Sequence, residues 1–190
     1  VLPMAEDIEA MIMASSPAFG AMIRAAWLTG CRQNELVTAR WRDYDAARKT
    51  LRIVGKGNKL RVISLRPVAS KDAVSLIESQ PKTFGSELIF AKPDGSPFSQ
   101  AASDFTHIRR SVALISARNG RRFDRFRFHD LRHLFAVEAL RDGMSIYDLQ
   151  QHMGHSSLKV TEIYLAHLTP EQAGRAKRGT DYNQNYTQFA

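Results

Sequence analysis

One stretch of this chain reads as strand, and it limits the fold more than any other feature. Residues 50–65, TLRIVGKGNKLRVISL, set two short runs rich in branched residues around a turn containing glycine and asparagine. That pattern predicts a β-hairpin. WRDYD, at 41–45, is a candidate third strand. Elsewhere the apolar residues recur mostly at helical spacing. AEDIEAMIMASS carries Ile8, Met11 and Ile12 on one face, and PAFGAMIRAAWLTG carries Phe19, Met22, Ile23, Ala26 and Trp27. CRQNELVTAR, PVASKDAVSLIESQ, most of SPFSQAASDFTHIRRSVALISARNG, HDLRHLFAVEALRDG and SIYDLQQHMG read as further helices, and another is expected after Pro170. The strand–helix alternation of a doubly wound sheet is missing. The expectation is a mainly α (α+β) domain with a small three-stranded antiparallel sheet.

A chain of 190 residues suits one domain, long enough to bury about 70% of the surface exposed by its unfolded form. The single Cys31 cannot form an internal disulfide and fits a reducing compartment, so the expected location is cytoplasmic. No stretch has the length of a membrane span. VLPMAEDIEAM lacks the basic start and apolar core of a signal peptide. The net charge of +8 points to a polyanionic partner. Arginines crowd RRSVALISARNGRRFDRFRFHDLRH, 109–133, with Phe123, Phe126 and Phe128 between them. Such a run is either a solvated basic face with phenylalanines turned inward, or a phosphate-gripping surface.

Four short blocks hold the candidate chemistry, and each alone has an ordinary structural reading. In TGCRQNEL, Arg32 and Glu35 lie three apart and would make a routine helix pair. In GKGNK, Lys56 and Lys59 would decorate a solvated hairpin tip. In HDLRH, His129 and Arg132 share a helix face near an N-terminus, where backbone N–H groups favour an anion. His129 and His133 are four apart, but Asp130 and the want of a third ligand argue against a zinc-protease motif, so no metal or other cofactor is expected. In HMGHSSLKVTEIYLAH, nine residues of unbroken helix would turn His155 and Tyr164 to opposite sides. Gly154 and the Ser156–Ser157 pair predict a break, with Gly ending one helix and Ser starting the next. That places His155 in a turn and Tyr164 about two turns into the following helix.

Together the residues have a chemical logic. Two arginines can neutralise a phosphodiester and hold the charge that grows in its transition state. A tyrosine, with an ordinary pKa of about 10, needs a base or cationic surroundings to attack at neutral pH. A lysine can protonate a departing sugar hydroxyl.

The order and spacing of TGCRQNEL, GKGNKLR, HDLRH and MGHSS, with Tyr164 nine residues after His155, resemble the catalytic domain of tyrosine recombinases of the phage-integrase type. The resemblance implies that Arg32 and Arg132 grip the scissile phosphate. It implies that Lys56 protonates the leaving 5′-hydroxyl, that His129 assists as acid or base, and that His155 hydrogen-bonds the phosphate. Tyr164 would be the nucleophile that forms a 3′-phosphotyrosine, and Glu35 a supporting acid. Cys31 and Met153 stand where such proteins often have leucine, and Leu134 where threonine is common; only repacking is expected. The implied partners are double-stranded DNA and other recombinase protomers, as a tetramer in a synaptic complex, with this chain alone a monomer and no membrane involved. The catalytic domain is expected over 1–178 and a polar tail over 179–190, and the helical core-binding domain that precedes such domains is expected to be absent from the chain. Two other readings stay open: strand relaxation of the type IB topoisomerase kind, and a DNA-binding module without catalysis.

Overall fold

The computed structural model describes residues 2–55, 60–65 and 72–178. The chain starts with α1 (Ala5–Met13), α2 (Pro17–Thr29) and the short α3 (Gln33–Val37). A 3₁₀ turn, Trp41–Asp43, leads into β1 (Tyr44–Asp45), β2 (Thr50–Val54) and β3 (Leu60–Ser64). Then come α4 (Ala73–Glu78), α5 (Ala101–Arg118), α6 (Phe128–Arg141), α7 (Ile146–Met153) and α8 (Leu158–Glu162). A 3₁₀ segment, Ile163–His167, and α9 (Pro170–Arg178) complete the described chain. No helix among the described residues is long and apolar enough to cross a membrane.

The three strands run antiparallel in the order β1-β2-β3, as the sequence predicts. The hairpin register pairs Leu51 with Ile63 and Ile53 with Arg61. Side chains alternate between sheet faces, so Leu51, Ile53 and Ile63 enter the core and Arg61 points the same way. The expected turn at Lys56–Lys59 lies outside the described residues, as do 66–71 and 179–190. Of the helix expected over 67–80, the part from Ala73 to Glu78 is seen, capped by Asp72.

The central element is α6. Nine of its residues are buried, from Phe128 to Leu140, because it is covered on both sides. Leu131 and Leu134 belong to a core shared with α1, α2, the sheet and α5. Phe135, Ala136, Ala139 and Leu140 belong to a second core, with Ile146, Leu149 and Met153 of α7, Tyr164, and Ala176 of α9. Each buried Leu, Ile or Phe contributes about 1.5–3 kcal/mol, so α6 is fixed by its neighbours rather than by its own propensity. Phe126 and Phe128 turn inward and meet the Phe105 ring edge-on at 5.6 and 5.4 Å. Several arginines of the same segment are tied locally: Arg121 to the buried Asp7, Arg122 to Asp124 and Arg127 to Asp130.

Candidate active site

Two glycines shape the turns that carry Arg32 and His155. Gly30 ends α2 with φ 65° and Gly154 ends α7 with φ 64°, left-handed conformations that glycine adopts without strain. A Cβ on Gly30 would lie 2.4 Å from Cδ1 of Phe135, so the turn also needs glycine for space. A Cβ on Gly154 would lie 3.0 Å from Cδ of Arg61. After Gly154, the Ser157 side chain caps α8 by accepting from the Lys159 N–H at 3.1 Å. The predicted break between His155 and Tyr164 is therefore present. One detail differs: α8 ends at Glu162, and Tyr164 sits in the tighter 3₁₀ segment that follows.

Arg132 joins the two turns. Its side chain is 1% exposed, and one guanidinium nitrogen donates to the Gly30 carbonyl at 2.7 Å. Another donates to the Met153 carbonyl. Both of these partners of Arg132 are backbone carbonyls rather than carboxylates. Burial, then the positive field of Arg32, push its pKa below the usual arginine value. Such a buried cation is the form in which a site holds charge for an anionic ligand.

Arg32 is the more accessible arginine, its side chain 35% exposed. It precedes α3, where its backbone N–H donates to Glu35 at 2.8 Å and its guanidinium reaches the same carboxylate at 3.0 Å. Glu35 is buried and accepts two more bonds from Arg61, at 2.8 and 2.9 Å. Burial alone would raise the Glu35 pKa, but these arginine and backbone donors outweigh it and hold the acid below its ordinary value. Arg61 uses its third nitrogen on the His152 carbonyl, at 2.8 Å. One guanidinium thus links the sheet, α3 and the end of α7. Arg61 was not singled out by motif; the signal is the strand alternation, which puts an arginine on the same face as Ile63. A buried arginine demands buried acceptors, here a carboxylate and a carbonyl.

A cleft of about 680 Å³ opens beside Arg32 and is lined also by Asn34, Thr38, Val54, Gly55 and His129. Gly55 is the last described residue before Lys56, which itself lies outside the described residues. A second, smaller hollow is lined by Arg127, Asp130, His133, Ile163, Tyr164 and His167. The His129 and His133 rings meet edge-on at 4.8 Å, so they form the wall between the two hollows.

Tyr164 is 4% exposed and lies between two histidines. Its ring stacks on His155 with centroids 6.4 Å apart, and its hydroxyl is 2.9 Å from Nδ1 of His133. Burial raises the tyrosine pKa above its ordinary 10, while the fields of Arg132 and Arg32 act the other way. His155 is oriented by Thr161, whose hydroxyl is 2.9 Å from its Nδ1. Burial, then Arg132, Arg32 and Arg61, push His155 down to about 4. Burial, then His133, Arg132 and Arg32, also lower His129. His133 is lowered too, chiefly by burial, so all three imidazoles favour the neutral form at pH 7.

Arg32, His129, Arg132, His155 and Tyr164 thus come together from the turns that end α2 and α7, the N-terminal half of α6 and the 3₁₀ segment, at positions up to 132 residues apart. His152, which no motif assigned, is structural: Nε2 is 2.8 Å from the Thr29 carbonyl, and the ring stacks on Phe135 at 4.9 Å. His133 and Thr161 are the contacts that sequence reasoning missed. The spacing of HDLRH showed that His133 sits one turn after His129, but not that Tyr164 would arrive beside it.

A helical domain with a small sheet, a cleft beside Arg32 and a tyrosine set between histidines defines the class. Residues 5–171 match the phage integrase family, and the chain belongs to it. Among similar proteins, the tyrosine recombinase XerC of Pediococcus pentosaceus is 28% identical over 164 residues, covering 83% of this chain and 52% of that protein. XerC of Xanthomonas campestris pv. campestris is 30% identical over 146 residues, covering 76% of this chain and 42% of that protein. The chain therefore spans about half the length of the curated relatives it matches. The crystal structure of XerA recombinase superposes with a TM-score of 0.62 at 25% identity, covering 99% of this chain and 64% of that one. A lambda integrase dimer bound to a COC′ core site superposes with a TM-score of 0.69 at 20% identity, over 95% of this chain and 49% of that one, and shares the fold.

Proposed function

We propose that residues 1–178 are the catalytic domain of a site-specific recombinase that cuts and rejoins double-stranded DNA through a covalent tyrosine. Tyr164 attacks the scissile phosphate and forms a 3′-phosphotyrosine. Arg32 and Arg132 hold the phosphate, His155 hydrogen-bonds it through the nitrogen that Thr161 leaves free, and His129 assists from the cleft wall. Lys56, which follows β2 in the chain, protonates the departing 5′-oxygen. The ester energy is kept in the phosphotyrosine, so a 5′-hydroxyl from another strand rejoins the DNA without ATP. The protein works with further protomers on two duplexes, in the cytoplasm. The observation that carries this reading is the convergence of two arginines with one buried tyrosine flanked by neutral imidazoles.

The test is a suicide duplex nicked beside the cleavage point, its site selected from random-sequence DNA. The wild-type protein becomes covalently attached and Tyr164→Phe does not. Equal failure of both, with DNA binding intact, would sink the reading.

A further inference from the structure

We propose that His133 accepts the phenolic proton of Tyr164 as its oxygen attacks phosphorus, a role separate from those of His129 and His155. The inference rests on the reading of Tyr164 as nucleophile and adds a catalytic residue to it. The geometry selects His133 from three nearby histidines. Its Nδ1 lies 2.9 Å from the Tyr164 hydroxyl, within the reach a general base requires. His155 lies face to face with the tyrosine ring, 19° from parallel, and its own Nδ1 is taken by Thr161. His129 lines the Arg32 cleft and meets His133 edge-on rather than lining the tyrosine's hollow.

With Nδ1 as acceptor, neutral His133 carries its proton on Nε2. In the cleavage step the phenolic O–H bond breaks and its proton moves to Nδ1. The phenolic oxygen bonds to phosphorus, the bond from phosphorus to the 5′-oxygen breaks, and that oxygen takes a proton from Lys56. In rejoining, a 5′-hydroxyl returns its proton to the lysine and attacks. The tyrosine oxygen then leaves phosphorus and recovers its proton from His133.

The groups around His133 suit a base that must stay neutral and then carry charge briefly. It faces Arg127 just before α6, His129, Asp130 and Arg132 on α6, and Tyr164 and His167 from the 3₁₀ segment. Burial lowers its pKa; Asp130 opposes that, while Arg127, Arg132 and His167 add to it. Asp130 is itself held by Arg127 at 2.9 Å, a carboxylate fixed close to where the imidazolium forms.

The test uses the intact protein and the nicked suicide duplex described above. His133→Ala should slow single-turnover covalent attachment about a hundredfold at pH 7. Its rate should then climb with pH where the wild type is flat. Replacing Tyr164 by 3,5-difluorotyrosine, whose phenol is more acidic, should restore most of the loss in His133→Ala but not in Arg32→Ala. Histidine ¹⁵N spectra of the free protein should show Nδ1 of His133 unprotonated and shifted by Tyr164→Phe. A His133→Ala protein with the wild-type rate and pH profile would overturn the proposal while leaving the nucleophile in place. So would a slowing that difluorotyrosine does not relieve. A wild-type protein that binds the duplex without attaching to it would instead remove the nucleophile reading, and this inference with it.

Discussion

On the sheet side of Arg132, the site is built from ion pairs: Glu35 takes donors from Arg32 and both terminal nitrogens of Arg61. On the tyrosine side it is built from neutral hydrogen bonds: Tyr164 to His133, and His155 to Thr161. Arg132 stands between and bonds a carbonyl at the foot of each wall. The difference separates two tasks. Holding an anion needs fixed positive charge, and buried charge persists only where hydrogen-bond acceptors or an ion pair surround it. Moving a proton needs groups that are neutral at working pH and change charge at modest cost.

If the walls are distinct in this way, removing the acid should cost most. Glu35→Gln leaves the guanidinium of Arg61 without its carboxylate, and unfolding in urea should show a loss of about 3–5 kcal/mol. A loss under about 1 kcal/mol would mean that the pair is solvated and the two walls are alike.

Acid titration of stability should separate the walls from a buried histidine outside both. Burial first, then Arg61 and Arg132, push His152 from 6.5 to about 4, against the bond to the Thr29 carbonyl. Its folded pKa lies below its unfolded one, so its stabilisation is full above pH 6.5 and is lost as pH falls to about 4. His152→Gln should remove roughly 3 kcal/mol of the loss, and what remains over this pH range belongs to His155, also held at about 4. Glu35 also has a depressed pKa, so its share is present above the ordinary glutamate value of about 4.3 and is lost below it. Glu35→Gln should therefore flatten only the lower part of the curve.

The same two walls show what the sequence makes legible. The hairpin, the helix order and the break at Gly154–Ser157 follow from local pattern, because turns and caps depend on near neighbours. Arg32, Arg132, His155 and Tyr164 stand out through the order and separation of four short blocks, each ordinary alone, whose combination resembles a known family. The Arg61–Glu35 pair joins residues 26 apart, and the His133–Tyr164 contact residues 31 apart. Neither can be read from periodicity, which gives the face of an element but not what arrives against it. The 3₁₀ segment around Tyr164 is likewise set by docking onto α6 rather than by a local signal.

The smallest effect sharpens the tyrosine side. Thr161 is fully buried, and its hydroxyl fixes His155. Thr161→Val keeps the volume and removes the bond. The rate of covalent attachment should fall about tenfold, the equivalent of one hydrogen bond, and stability should change by about 1 kcal/mol or less. Thr161→Ser should recover most of the rate. An unchanged rate in Thr161→Val would separate His155 orientation from the reaction.

The central claim concerns one oxygen atom among the five tyrosines of the chain. After capture on the nicked duplex, nuclease digestion and peptide mass spectrometry locate the nucleotide that remains on the protein. The account predicts it on Tyr164, with Tyr44, Tyr147, Tyr182 and Tyr186 unmodified. A nucleotide on any other residue, or cut DNA that carries no protein, would contradict it.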